Sequence, residues 1–303
     1  MNKISVCLAT FNEEKNIKDC LESVKWADEI VIVDGTSTDK TVVIAKGYTS
    51  KVIVRENPLM FHINKQKAFE AATGEWILYL DADERVDKKL KEEIFSAIKK
   101  KKFDGFWIPR KNIIFGKWIK NSLWYPDHQL RLFRRGKAYL PCKSVHEQPK
   151  LTGKAGYLKN PLIHYNYQTI SQYVKRLNDL YTENDKNVYL RKKKKIHWHD
   201  ALRFPVQDFL SNFFARKGYK DGLHGLVLSL LQAFSTFVTF AKVWEAQGFR
   251  EVKEEGFLKR VEKEMIKAGK ELNYWLLSSR IDEEGNFFKK IFFKFKLWLG
   301  RFS

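Results

Sequence analysis

Three carboxylates within four residues, Asp81-Ala-Asp83-Glu84, follow directly on the apolar run Trp76-Ile-Leu-Tyr-Leu80. Carboxylates at the mouth of a buried strand are costly unless a cation sits among them, and a hard divalent metal carrying substrate phosphates is the usual partner. Asp-x-Asp alone is a weak signal. It also reads as an acidic, solvated turn running into a helix from Asp87. Two further polar clusters bear on that choice. Thr10-Phe11-Asn12-Glu13 closes the run Ile4–Leu8, and Asp34 closes Glu29–Val33. Polar groups at the ends of three apolar runs point to one site assembled from three places.

The runs are the elements that must position those groups. Ile4–Leu8, Glu29–Val33, Lys51–Val54 and Glu75–Leu80 predict strands, the second and fourth apolar enough to be buried on both faces. Between them the spacing predicts helices over Asn12–Val24 (capped by Thr10 or Asn12), from Ser37-Thr-Asp39 onward, and over Ile63–Ala72. Strands alternating with helices at this interval predict an α/β fold with a mostly parallel sheet covered on both faces, which binds ligands at the carboxyl ends of its strands. The chain has no Gly-x-Gly-x-x-Gly after its first strand and no Gly-x-x-x-x-Gly-Lys-Ser/Thr. That counts against a dinucleotide oxidoreductase and a P-loop NTPase.

A chain of 303 residues, 44% hydrophobic, accommodates one large domain with a helical annex; the expected division is 1–195 and 196–303. The net charge of +20 implies an anionic partner: nucleic acid, an anionic membrane or phosphorylated substrates. Cys7, Cys20 and Cys142 show no metal-ligand spacing, which fits reduced thiols in the cytoplasm. Met1 leads straight into strand pattern, so export by a signal peptide is not expected.

Ile4-Ser-Val-Cys-Leu-Ala-Thr-Phe-Asn-Glu-Glu14, Val33-Asp34-Gly-Thr-Ser-Thr-Asp39-Lys-Thr41 and Ala72-Thr-Gly-Glu-Trp-Ile-Leu-Tyr-Leu-Asp81-Ala-Asp83-Glu84 together resemble the opening of a family 2 glycosyltransferase. The resemblance implies the GT-A fold, Rossmann-like and nucleotide-sugar-binding, and transfer with inversion at the anomeric centre. It also implies roles. Ala9, Phe11 and Glu13 match the segment that cradles the nucleoside, with Phe11 against the base, and Asp34 the carboxylate that accepts from the base. Lys65 matches a basic residue beside the nucleotide, Asp81 the carboxylate near ribose and metal, and Asp83 the direct ligand of Mg²⁺ or Mn²⁺. Ala9 stands where the family often has Pro, and Gln66 where it often has Asn. A cation is what a departing pyrophosphate needs, and Lys65 or Lys67 would add to it unless they lie on a solvated helix face.

An inverting transfer also needs a general base within about 3 Å of the acceptor hydroxyl. Asp127, Glu147 and Asp104 compete. Glu147, in Ser144-Val-His146-Glu147, is preferred and Asp127, in Asp127-His-Gln-Leu-Arg-Leu-Phe-Arg134, comes second. Both segments, and Arg216–Gly225, resemble a branch of the family associated with lipopolysaccharide core assembly. An incidental His-Glu on a surface turn is the plainer alternative. His164, ending a short apolar strand, matches a late metal-ligating His of GT-A enzymes; a structural His bonded to backbone is its alternative. His197 and His199 have no zinc-site company.

From about Ile170 the pattern turns helical. Gly222–Trp244 carries a broad apolar face (Leu226, Val227, Leu230, Leu231, Phe234, Phe237), but its uninterrupted apolar stretch reads as too short and too polar for a membrane span. In the last helix Phe287, Phe288, Ile291, Phe292, Phe295, Trp298, Leu299 and Phe302 share one face, with Lys289, Lys290, Lys294, Lys296 and Arg301 around it. Such a helix fits an anionic membrane surface, and packing on the protein's own core is the alternative. The expectation is a metal-dependent, inverting transferase, peripheral on the cytoplasmic face of a bacterial inner membrane. It would move a hexose, glucose from UDP-glucose, onto a lipid-linked saccharide such as the lipopolysaccharide inner core, with no nucleic-acid partner. The rivals are a basic nucleic-acid-binding protein, and a nucleotidyltransferase or non-catalytic sugar-nucleotide binder on the same fold.

Overall fold

The computed structural model describes residues 3–58, 62–100, 102–142 and 147–299. It divides into two compact units, Met1–Lys120 with Trp124–Asn166, and Asn121–Leu123 with Tyr167–Ser303.

Among the described residues, the first unit is built on a seven-stranded sheet. Its spatial order, with strands numbered along the chain, is β12 (Ala155–Tyr157), β6 (Gly105–Ile108), β9 (Gln129–Arg134), β4 (Trp76–Leu80), β1 (Ile4–Thr10), β2 (Glu29–Asp34) and β3 (Val52–Val54). β4, β1, β2 and β3 run parallel, whereas β9 runs against both β4 and β6. The parallel half is the expected one, and the antiparallel insertion of β9 was not legible in the strand pattern. Successive residues point to opposite faces, and both faces are dry. Ile4, Val6, Leu8, Trp76 and Leu78 pack on α1 (Ile17–Val24) and α4 (Lys88–Lys99). Cys7, Val31, Val33, Ile77 and Tyr79 join Ala68 and Phe69 of α3 (His62–Ala71) in the other cluster. Gly74 lets β4 start hard against β1: a Cβ there would sit 2.7 Å from Ser5 Oγ and 2.9 Å from the Lys3 carbonyl.

The first helix starts at Ile17, not at Asn12. The intervening residues are held as a loop against the loop after β2. Asn12 N–H donates to Ser37 Oγ (2.8 Å), Thr38 N–H to Asn12 Oδ1 (2.9 Å) and Glu13 N–H to Thr41 Oγ1 (2.7 Å). α2 (Thr41–Lys46) likewise begins only beyond that zipper. α4 starts where expected, with Asp87 Oδ1 accepting from Leu90 N–H at 2.8 Å.

A second, four-stranded sheet, β5 (Glu84–Arg85), β13 (Leu162–Tyr167), β7 (Arg110–Ile114) and β8 (Lys117–Trp118), sets His164 opposite Glu84. A short pair, β10 (Ala138–Tyr139) and β11 (Lys150–Leu151), completes the strands among the unit's described residues.

The second unit is helical: α5 (Ile170–Arg176), α6 (Thr182–Arg191), α7 (Asp200–Leu210), α8 (Leu223–Ala246), α9 (Phe257–Glu283) and α10 (Phe287–Leu299). By length and composition α8 is apolar enough to cross a membrane, with a mean hydropathy of 1.6 over its best window. The sequence reading fell short of this because it counted only the uninterrupted apolar run. Leu228, Ala233 and Val243 of α8 are buried, while Leu230, Phe234 and Phe237 are exposed. On α10, Phe287, Phe288, Ile291, Phe292, Phe295 and Trp298 are all exposed. The Leu299 side chain, Arg301 and Phe302 lie outside the described residues, as do Ser144, Val145 and His146.

Candidate active site

Strand order reverses at β1, which has β4 on one side and β2 on the other, and this is the point where open α/β sheets leave a crevice beyond their carboxyl ends. Three groups of residues stand at or near these strand ends.

The first is a buried set of charges around Asp81. Lys65 Nζ lies 2.6 Å from Asp81 Oδ1, and Arg131 Nη2 lies 2.6 Å from Asp81 Oδ2 and 2.8 Å from Glu84 Oε1. Glu84 Oε2 in turn accepts the Asp81 N–H at 3.0 Å. Burial alone would push the Asp81 carboxyl up, but the Arg131 guanidinium and then the Lys65 ammonium outweigh it and hold the carboxyl well below the usual carboxylate range. Both cations also sit over the Tyr79 ring, Arg131 Cζ at 4.2 Å and Lys65 Nζ at 4.9 Å from its centroid. Lys65 is therefore a buried partner of Asp81, whereas Lys67 lies on the surface, paired with Glu70 at 2.7 Å. Arg131 carries no role in the sequence reading. Its only signal was a basic residue between Leu130 and Leu132, which the register of β9 against β4 turns towards Asp81.

The second group is the loop pair after β1 and β2. Asp34 is fully buried and accepts from Thr10 Oγ1 (2.9 Å), Ser37 Oγ (2.6 Å) and Ser37 N–H (2.8 Å). Asn12 and Thr36 take left-handed φ values of 55° and 61° to make the turns. Ala9 and Glu13 are half-buried and Phe11 is 45% exposed, an uncovered aromatic ring beside the crevice. Glu13 Oε2 accepts from Asn16 Nδ2 at 2.8 Å.

The third group holds Asp83. His164 Nε2 faces Asp83 Oδ2 at 3.5 Å, and both residues are largely buried. His164 Nδ1 is 2.6 Å from Asn112 Oδ1, so this histidine bonds to a side chain rather than to backbone. Asn112 Nδ2 donates to the Trp124 carbonyl (2.6 Å) and to Asp127 Oδ2 (3.0 Å). Asp127 also receives Arg110 Nη2 (2.6 Å) and Nε (2.9 Å), and Gln129 Nε2 (2.9 Å). Its φ is 36°, in the left-handed region that a residue other than glycine occupies at a cost. Arg110 Nη1, 3.8 Å from Glu84 Oε1, links this group to the first. Glu147 is half-buried, and Gln148 beside it accepts the Leu130 N–H of β9 at 3.3 Å. Asp104 precedes the first residue of β6 and is bonded to Lys154 N–H, at the opposite edge of the sheet from Asp81.

Among the described residues no group of three or more His, Cys, Asp or Glu converges on a metal position. Asp83 and His164 give one oxygen and one nitrogen donor. That set suits a divalent ion that takes its remaining ligands from substrate phosphates and water.

Comparison with known proteins identifies the family. The family model described as Glycosyl transferase family 2 matches residues 5–188, more than half of the chain. An uncharacterized glycosyltransferase of Rickettsia typhi is 30% identical over 260 residues, which is 81% of this chain and 88% of that protein. The lipopolysaccharide core biosynthesis glycosyltransferase LpsC of Rhizobium meliloti is 27% identical over 260 residues, 82% of this chain and 94% of that protein. Among solved structures, S. aureus TarS 1–349 in complex with UDP-GlcNAc aligns at a TM-score of 0.44 with 18% identity, over 79% of this chain and 92% of that one. With the mostly parallel sheet and its polar strand ends, the family match identifies the chain as a glycosyltransferase of the GT-A fold, and it belongs to glycosyl transferase family 2.

Proposed function

We propose that the protein transfers a hexose, glucose from UDP-glucose, to a lipid-linked saccharide such as the lipopolysaccharide inner core, with inversion and with Mg²⁺ or Mn²⁺ bound. The observation that carries this reading is the placement of the Asp83–His164 pair beside the Lys65–Asp81–Arg131 charges, at the point where strand order reverses. Phe11 stacks on the base, with Ala9 and Glu13 walling the pocket. Asp34, held by three hydrogen bonds, is the carboxylate that the family resemblance sets towards the base. Asp83 and His164 would hold the metal, and its charge offsets what develops on the departing pyrophosphate. Lys65 and Arg131 fix Asp81 so that its backbone and carboxylate edge stand at the ribose without having to reorganise.

Glu147 takes the acceptor proton, and Asp127, whose carboxylate already meets Arg110 twice, Asn112 and Gln129, comes second. Asp127 is tied through Asn112 to His164, and Glu147 precedes Gln148, which bonds Leu130 of β9, the strand from which Gln129 holds Asp127. Residues 1–195 would carry the transfer and residues 196–303 the association with the membrane. The name of LpsC supports the acceptor class. The exposed aromatic face and lysines of α10, with the +20 net charge, support a peripheral position on an anionic, cytoplasmic membrane face.

The test is a thermal-shift series with UDP-, GDP- and CMP-sugars, each with and without Mn²⁺. The expected result is stabilisation by one UDP-sugar that requires Mn²⁺, approaching about 2.7 kcal/mol at a hundredfold excess over Kd. No shift with any sugar nucleotide would return the charge to nucleic acid, read as salt-dependent oligonucleotide affinity. Release of pyrophosphate in place of UDP would make the enzyme a nucleotidyltransferase.

A further inference from the structure

We propose that Asn112 is a positioning residue: its amide sets the tautomer and ring orientation of His164 so that the Nε2 lone pair is aimed at the metal position beside Asp83. The inference rests on the metal-dependent reading above and deepens it.

Asn112 sits in the middle of β7 and is fully buried. Its three polar contacts decide its orientation. Nδ2 lies 2.6 Å from the Trp124 carbonyl and 3.0 Å from Asp127 Oδ2, and both of those atoms only accept. Turning the amide over would set its oxygen against a carbonyl and a carboxylate at those distances, inside a buried site where an unmade hydrogen bond is not replaced by water. Oδ1 must therefore be the atom that meets His164 Nδ1 at 2.6 Å, and the ring nitrogen there must be the donor. With Nδ1 carrying the donated proton, Nε2 is the ring nitrogen left to offer a lone pair. It faces Asp83 Oδ2 at 3.5 Å, beyond the usual range of about 2.7–3.2 Å for a hydrogen bond. Two electron-rich atoms from separate strands, turned towards each other at that distance, bracket a space that suits a cation.

The device extends one residue further. Asp127 holds Nδ2, and Arg110 and Gln129 hold Asp127, so the amide is clamped from behind by three side chains. A metal-ligating histidine whose other nitrogen is held in this way keeps its ring orientation, and loss of such a partner typically weakens metal binding about 10–100-fold. An amide that served only to satisfy the Trp124 carbonyl would affect stability and leave metal affinity alone.

The experiment measures Mn²⁺ affinity by EPR, in the presence of UDP, for the full-length wild type and Asn112→Leu, with the unfolding midpoint of each recorded alongside. Leu removes all three contacts at similar volume. The expected result is a 10–100-fold weaker Kd in Asn112→Leu, including where its unfolding midpoint matches the wild type's. In parallel, ¹⁵N NMR of the metal-free wild type, assigned with a His164→Gln control, is expected to show His164 as the Nδ1–H tautomer. That measurement needs no folded Asn112 variant. Equal Mn²⁺ affinity in wild type and Asn112→Leu, or an Nε2–H tautomer, overturns the inference while leaving the metal-dependent reading in place. A wild type that binds no Mn²⁺ with UDP present overturns that reading and the inference together.

Discussion

Asp81 and Asp83 are two residues apart and chemically identical, and their surroundings give them different work. Asp81 is saturated by Lys65 and Arg131, so its removal takes the carboxylate from buried Lys65 and leaves Arg131 to Glu84 alone. Asp83 faces a histidine instead. Asp81→Asn is therefore expected to cost about 3–5 kcal/mol in urea unfolding, as breaking a buried ion pair does. Asp83→Ala is expected to unfold near the wild-type midpoint while losing Mn²⁺-dependent UDP binding and transfer. A stable Asp83→Ala enzyme that still turns over would remove the metal role from this carboxylate. The base is separable in the same way: Glu147→Gln and Asp127→Asn should both bind UDP, and the one that carries the base should lose about 10²–10⁴ in kcat. Asp81, Asp83 and His164 were legible because their residue types imply charge and ligation by themselves. Arg131 and Asn112 were not, because each acquires its meaning from a partner some 50 residues away along the chain, Asp81 and His164 respectively.

The strands and helices were legible from periodicity up to their ends, and the ends are where the site lies. Residues after Thr10 read as the start of a helix because Asn and Glu are ordinary residues of a first turn. Hydrogen bonds to Ser37, Thr38 and Thr41, invisible to local pattern, convert them to loop. β9 was hidden for a related reason, since a buried Arg131 breaks the apolar run that marks a strand. The opposite, amino-terminal edge of the sheet offers a test confined to the scaffold. Glu29, opening β2, binds Lys51, Ser5 Oγ and both Thr73 donors, the Thr73 N–H at 2.8 Å and its Oγ1 at 2.9 Å. Burial would raise its carboxyl, but Lys51, Ser5 and Thr73 prevail and lower it from 4.5 to about 2. A depressed carboxyl contributes stability that is fully present above the unfolded value and is lost as pH falls through the folded one. The unfolding free energy is thus expected to decline between pH 4.5 and about 2. Glu29→Gln should remove that group's share of the decline and cost roughly 2 kcal/mol at pH 7. UDP-sugar binding should be untouched, because Glu29 stands at the far end of the strand whose carboxyl end is Asp34. A pH dependence identical to wild type would show that Glu29 is no more strained towards ionisation than in the unfolded chain.

At the scale of the whole molecule the charge and the last helix belong to one argument. A net charge of +20 on 303 residues is far more than one metal-bound nucleotide sugar would balance. α10 exposes Phe287, Phe288, Ile291, Phe292, Phe295 and Trp298, with Lys289, Lys290, Lys294 and Lys296 among them. Packing on the protein's own core would have buried that face, and among the described residues of α10 none is buried. On the proposed reading an anionic bilayer would satisfy both halves of the pattern: the rings would enter the interface, and each Lys or Arg near the surface would add about 1 kcal/mol. Deleting Phe287–Ser303 should therefore release the protein from phosphatidylserine or phosphatidylglycerol vesicles in sedimentation, while slow hydrolysis of the donor by the remaining chain stays measurable. Replacing only Lys289, Lys290, Lys294 and Lys296 by Gln should weaken vesicle binding and reduce its dependence on salt, since screening acts on the charges and not on the rings. α8 gives the experiment its discriminating power, because its exposed Leu230, Phe234 and Phe237 offer a second apolar contact. Binding that survives the tail deletion but resists high salt would move the membrane contact to α8, and the basic tail would then need another anionic partner.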